Sequence, residues 1–137
     1  MQLTSVESGV GLALTSLLND RLVLLAGAGL SMAPPSSLPS AATLAQRAKQ
    51  KYESIYGLAA PIPAGIDDQA EYFFQRQELA TVYFRTLIDP HAFAGQPNAG
   101  HAAIADLLLV RALQAAVTTN VDTLIETAGQ YQYGQVG

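Results

Sequence analysis

The chain has 137 residues, a length suited to one domain; half are hydrophobic and 13% are charged, a balance that excludes a disordered chain. Seven Lys+Arg against eleven Asp+Glu leave a net charge of -4, so no basic stripe exists to grip a phosphate backbone, and direct nucleic-acid binding is not expected. With no cysteine and only two histidines, disulfides, thiolate zinc sites, Fe–S clusters, a cysteine nucleophile and a three-histidine metal site are all excluded.

The N-terminal Met1-Gln2-Leu3-Thr4-Ser5-Val6-Glu7 lacks the positive n-region of a secretory signal. The apolar stretch from Val10 to Met32 is cut by Asn19-Asp20-Arg21, so neither half reaches the ~20 apolar residues of a membrane span. A soluble cytoplasmic protein is expected. Thr4 and Glu7 read as a capping box. It opens a first helix that carries Val10, Leu12, Ala13, Leu17 and Leu18 and ends near Asn19-Asp20. Residues 21–26 form a short apolar run, as in a strand buried on both faces. Gly27-Ala28-Gly29-Leu30-Ser31 then reads as a tight turn. Residues 32–40 hold Pro34, Pro35 and Pro39 among serines and read as a loop.

Ser40 is placed to cap a helix over residues 41–56, with Leu44, Ala45, Ala48, Tyr52 and Ile55 on one face. A second loop spans residues 57–65. Asp67-Asp68 opens a long amphipathic segment to Ile88, whose Tyr72, Phe73, Phe74, Tyr83 and Phe84 are core anchors; its alternative use is an oligomerisation surface. Asp89-Pro90 breaks that segment. Pro97-Asn98 caps a helix over residues 99–113. Residues 115–119 look like a second buried strand, residues 121–128 return to helix, and Gly129 suits its C′ position.

Helices with two apolar strands, each running into a polar turn, are the pattern of a parallel α/β sheet. In such sheets ligands sit at the carboxyl ends of the strands, where both polar clusters fall. The glycine turn lets backbone approach a ligand, and its N–H groups suit a pyrophosphate. It departs from the dinucleotide fingerprint, because Met32 stands where a third glycine belongs and no acidic residue ends a strand about 20 positions later. A ligand-free tight turn is the alternative. Thr118-Thr119-Asn120-Val121-Asp122 also has two readings. In one, Asn120 or Thr119 bonds the first N–H groups of the next helix, with Asp122 at its positive end. In the other, Asn120 aims its amide at whatever residues 27–31 hold.

In combination these segments resemble a known family. Leu25-Ala26-Gly27-Ala28-Gly29-Leu30-Ser31 before a Pro/Ser-rich loop resembles the opening of the sirtuin (Sir2) fold. Pro97-Asn98-Ala99-Gly100-His101, running on to Leu107-Leu108, is similar to that family's Pro-Asn-x-x-His helix. Val117-Thr118-Thr119-Asn120-Val121-Asp122 is similar to its Thr-x-Asn-x-Asp strand end. Ser37-Leu38-Pro39-Ser40-Ala41-Ala42 stands where deacylating members carry Gly-Ile-Pro-Asp-Phe-Arg, and Thr119 where they usually have glutamine. Both departures resemble the divergent bacterial Sir2-like domains, many of which hydrolyse NAD in anti-phage defence.

The resemblance implies an α/β fold with a Rossmann-like parallel sheet and flanking helices. It further implies an incomplete N-terminal portion here, a single NAD-binding domain expected over residues 1–137 and cut after the second strand. It implies NAD as ligand or substrate, hydrolysed to nicotinamide and ADP-ribose. Gly27, Ala28, Gly29 and Ser31 would meet the NAD phosphates and adjoining ribose, with Thr118 in the same set. Asn120, the catalytic candidate, would bond the nicotinamide ribose or hold the attacking water, and Asp122 would recognise the nicotinamide amide. A neutral amide holding water near a developing cation suits cleavage through an oxocarbenium-like state. The family's base, a His-Gly after the Asn/Asp strand, is not found before Gly137. His101 matches a structural histidine beneath the site, and His91 reads as an exposed loop residue. The alternatives are a silent NAD or ADP-ribose sensor and, disfavoured, an NAD-dependent protein deacylase. A homo-oligomer or a further C-terminal domain is expected in the longer protein, and this segment by itself is expected to expose apolar strand edges.

Overall fold

The computed structural model describes residues 5–58 and 61–134. The Thr4 half of the expected capping box lies outside them. Ser5 caps instead, its hydroxyl accepting the Ser8 N–H at 3.3 Å, and helix α1 spans Val6–Leu18. No residue of α1 is buried. Val6, Val10, Leu12, Leu14 and Leu18 are all exposed, because apolar residues lie nearly all round the helix and no single face is dedicated to a core.

The chain divides into two compact units, one made of the residues up to Ser36 together with those from Gln96 on, the other of Ser37–Gly95. The first is α/β. Strand β1 (Val23–Ala26) pairs parallel with β2 (Ala115–Thr118), Val23 opposite Ala115 and Ala26 opposite Thr118. One sheet face is covered. Ala26, Ile104 and Leu113 are buried there, with Leu22, Leu24, Leu107, Leu108, Ala116 and Ile125 packed round them. Ile104, Leu107 and Leu108 come from α4 (Ala99–Leu109), and Ile125 from α5 (Leu124–Tyr133).

The other face departs from the expectation of strands buried on both sides. Val23, Leu25 and Val117 alternate onto it by the strand period of two and are 53%, 73% and 52% exposed. Among the described residues the sheet has two strands, so each is an edge; the apolar edges expected from the sequence are present. No helix among the described residues is long and apolar enough to cross a membrane.

Two helix ends differ from the sequence reading. Helix α4 stops at Leu109, before the expected end at 113, because Arg111 adopts a left-handed φ of 60° and the Leu107 carbonyl accepts the N–H groups of Ala112 and Leu113. That turn returns Leu113 to the core. Helix α5 begins at Leu124 and runs through Gly129; Gly134, at φ 72°, ends it.

The second unit is helical. Helix α2 (Ala41–Tyr56) has the expected Ser40 cap, and buries Leu44, Ala45 and Ala48 while Ile55 stays exposed. The expected long segment 67–88 is two helices. Helix α3 (Ile66–Gln75) ends where Gln77 takes a left-handed φ of 60°, and a π-helix follows over Leu79–Leu87. Amphipathic spacing persists through such a break, so the hydrophobic pattern conceals it. Phe73 and Tyr83 enter the core with Ala48, Ile62, Leu87 and Ile88, whereas Phe74 and Phe84 face outward. Gln69 is fully buried. Its amide donates to the carbonyls of Ala45 and Pro63, and its Oε1 accepts the Tyr83 hydroxyl at 3.0 Å. Each of its polar atoms is therefore satisfied, as burial requires.

Candidate functional site

Three sequence-distant segments of the α/β unit meet at the carboxyl ends of β1 and β2. Beyond β1 the chain makes a 3-10 helix over Ala28–Ser31, in place of the expected tight turn, which carries Ser31 inward to 2% exposure. Beyond β2, Asn120 and Asp122 are half-buried. From the start of α4 come Asn98 and His101, both buried.

Ser31 Oγ is the hub. It lies 2.8 Å from Asp122 Oδ2, 3.1 Å from His101 Nε2 and 3.2 Å from Asn120 Nδ2. A hydroxyl has one donor and two acceptor positions. Ionised Asp122 only accepts, so the Ser31 proton points to it; His101 Nε2–H and the Asn120 amide donate to the two lone pairs. The far side of the histidine agrees. Its Nδ1 accepts the Asn98 backbone N–H at 3.1 Å, which puts the neutral ring's proton on Nε2.

These residues form a Ser-His-Asp group, yet not a nucleophilic triad. In a triad the histidine takes the serine proton; here it donates to the serine, and the aspartate holds the serine proton directly.

Asn98 secures the entry to the site. Its Oδ1 accepts the N–H groups of Gly100 and His101, a capping box completed by the histidine ring. Its Nδ2 donates to the carbonyls of Leu30 and Ala33 at 2.7 and 3.2 Å, tying the chain after β1 to the start of α4. Gly100 permits that approach, since a Cβ there would fall 2.7 Å from Leu30 Cδ1.

The remaining sequence candidates are placed differently. Gly27, Ala28 and Gly29 are exposed. Neither glycine has a left-handed φ, and a Cβ at Gly29 meets nothing within 4 Å. Nothing within the chain requires glycine there. Thr118 is exposed and stays outside the hub; its Oγ1 accepts the Asn120 N–H. The N-cap reading of the second cluster falls to another residue. Asp122 Oδ1, rather than Asn120 or Thr119, accepts the Leu124 N–H at the start of α5. Asn120 Oδ1 is buried and has no hydrogen-bond partner. An acceptor stripped of water without a donor costs about 1–3 kcal/mol, so this oxygen is the site's unmet demand.

Asn98 was legible in sequence as a cap. Its amide bonds to the carbonyls of Leu30 and Ala33 span some two-thirds of a hundred residues and leave no local signal. Among the described residues no three His, Asp or Glu side chains gather as metal ligands.

Burial holds the His101 pKa below its ordinary value of about 6.5, and Asp122 opposes that shift. The unfolded chain thus binds a proton that the folded chain resists. His101 leaves stability intact above the ordinary value and removes it as pH falls through and below that value. The urea midpoint is expected to drop between pH 7.5 and pH 5.5, about the range in which free histidine titrates, and His101→Gln should flatten that slope. An undiminished slope in the variant rules out this origin.

Compared with protein-family models, curated proteins and solved structures, the chain matches none of them.

Proposed function

We propose that the α/β unit is a Sir2-like NAD-binding module and that its reaction is hydrolysis of NAD to nicotinamide and ADP-ribose. The observation that carries the reading is Asn120, whose buried Oδ1 lacks a donor while its NH2 shares Ser31 Oγ with the carboxylate of Asp122. NAD supplies such donors as ribose hydroxyls and a carboxamide NH2. The convergence of the three sirtuin-like segments on Ser31 adds support, as does the open space over Gly29. Gly27, Ala28 and Gly29 would border the phosphates, with Thr118 nearby. Asn120 would accept a hydroxyl or hold water, and Asp122, with Ser31 fixing its carboxylate, would take the amide. Ser31 serves as a support, because its hydroxyl is fully engaged within the chain.

One observation favours a second reading, an NAD or ADP-ribose sensor that does not cleave. His101 is no general base for water, since its Nδ1 lone pair is engaged by Asn98 and its Nε2 carries the proton. The two readings separate when the 137-residue chain is incubated with NAD and both binding and nicotinamide release are followed. Hydrolysis predicts release that Asn120→Ala lowers by about 100-fold or more. A sensor predicts saturable binding without release. For Gly29→Ala, NAD affinity is expected to fall about tenfold, while thermal stability holds or rises by up to about 1 kcal/mol. Failure of the parent chain to bind NAD or ADP-ribose refutes both readings.

A further inference from the structure

We infer that His101 is a positioning residue that sets the hydrogen-bond polarity of the site, so that Asn120 is held with its NH2 on Ser31 and its carbonyl oxygen as the unpaired acceptor. The inference rests on the NAD reading only for its affinity measurement; the geometry stands independently.

The chain of directions begins at the backbone. The Asn98 N–H points at His101 Nδ1, and a proton on that nitrogen would set donor against donor. The ring therefore carries its proton on Nε2 and donates to Ser31 Oγ. Were Nε2 instead bare, it would compete with Asp122 for the single Ser31 proton. With Nε2–H in place, that proton stays on the bond to Asp122, and Ser31 faces Asn120 purely as an acceptor. An acceptor there draws the NH2 end of the Asn120 amide and turns Oδ1 away, without a partner. The α4 cap thus decides, through two side chains, which end of an amide beyond β2 is left without a partner. The consequence is selectivity: Oδ1 is closed to solvent in this structure, and a group that gains access to it must be a donor, a hydroxyl or N–H, and not an anion or a carbonyl.

Three measurements on the full chain test this. Long-range 1H–15N correlation at pH 7.5 should show His101 as the Nε2–H tautomer; the Nδ1–H tautomer or the imidazolium overturns the proposal even if every variant fails to fold. The side-chain amide resonances of Asn120 should shift in His101→Leu, which has no donor for Ser31. They should return toward the parent position in His101→Gln, whose amide can donate there. Unchanged resonances in His101→Leu contradict the inference. With NAD as the probe, affinity should fall about tenfold in His101→Leu and recover to within about threefold in His101→Gln. Equal weakening in both variants, with both folded by circular dichroism, assigns His101 a packing role only and overturns the proposal. If the parent chain binds no NAD, the functional reading fails while the tautomer and the Asn120 resonances still decide this one.

Discussion

Phe73→Ala is expected to destabilise the helical unit by about 3–5 kcal/mol, the range for truncating a buried aromatic side chain. Phe73 is fully buried. Its ring stacks on Tyr83 with centroids 5.2 Å apart and meets the edges of Tyr72 and Tyr52 at 5.1 and 5.7 Å. Removing it opens a void bounded by three aromatic rings, which cannot collapse into it without giving up their own contacts. It also undermines the Tyr83 hydroxyl bond to Gln69, and hence the buried amide that holds the carbonyls of Ala45 and Pro63. The neighbouring Phe74 is the control. It is 63% exposed, so Phe74→Ala should stay within about 0.5 kcal/mol of the parent. Urea unfolding of both variants, followed by far-UV ellipticity, makes the comparison. Equal losses at the two positions would show that this core is packed differently.

Asn98→Ala is expected to cost the α/β unit roughly 2–4 kcal/mol and to loosen the candidate site with it. Two effects combine. Loss of the cap leaves the N–H groups of Gly100 and His101 without their acceptor, worth about 1 kcal/mol. Loss of the amide donors leaves the part-buried carbonyls of Leu30 and Ala33 without their partner, at about 1–3 kcal/mol for the two together. The contributions share one side chain and need not add. Asn98→Ser separates them, because serine caps a helix well but cannot reach two carbonyls across the fold. It should recover about half the loss in the thermal midpoint and little of any NAD affinity. Full recovery by serine would mean that the link between the 3-10 turn and α4 contributes nothing.

Local signals were readable wherever a single segment determines the outcome. Ser40 caps α2, Asn98 caps α4, and both strands run into polar turns at the same end of the sheet. Each follows from propensity, capping and the apolar run of a strand, which need no knowledge of the remainder of the chain. Where prediction failed, a backbone angle or a distant contact had overridden the pattern. The left-handed Gln77 splits segment 67–88, and the left-handed Arg111 shortens α4, yet neither residue type advertises such a conformation. Gly129 was a credible helix end, but α5 continues through it because glycine in a helix costs only about 1 kcal/mol. The strands look doubly buried in sequence, but Val23, Leu25 and Val117 stand exposed; an apolar run records what a strand can bury, not what is present to cover it.

The absence of cysteine alone excluded thiolate metal sites, and the order of the polar clusters placed Ser31, Asn120 and Asp122 at one end of a parallel sheet. The sequence could not say that Ser31 is the buried hub, that Asp122 rather than Asn120 caps α5, or which amide atom of Asn120 is left without a partner. The cap is a local choice between neighbouring side chains; the hub and the Asn120 orientation are matters of hydrogen-bond direction between groups 70 to 91 residues apart. Direction at a shared hydroxyl is decided only when all its partners are in place, because each proton committed to one neighbour removes it from the others.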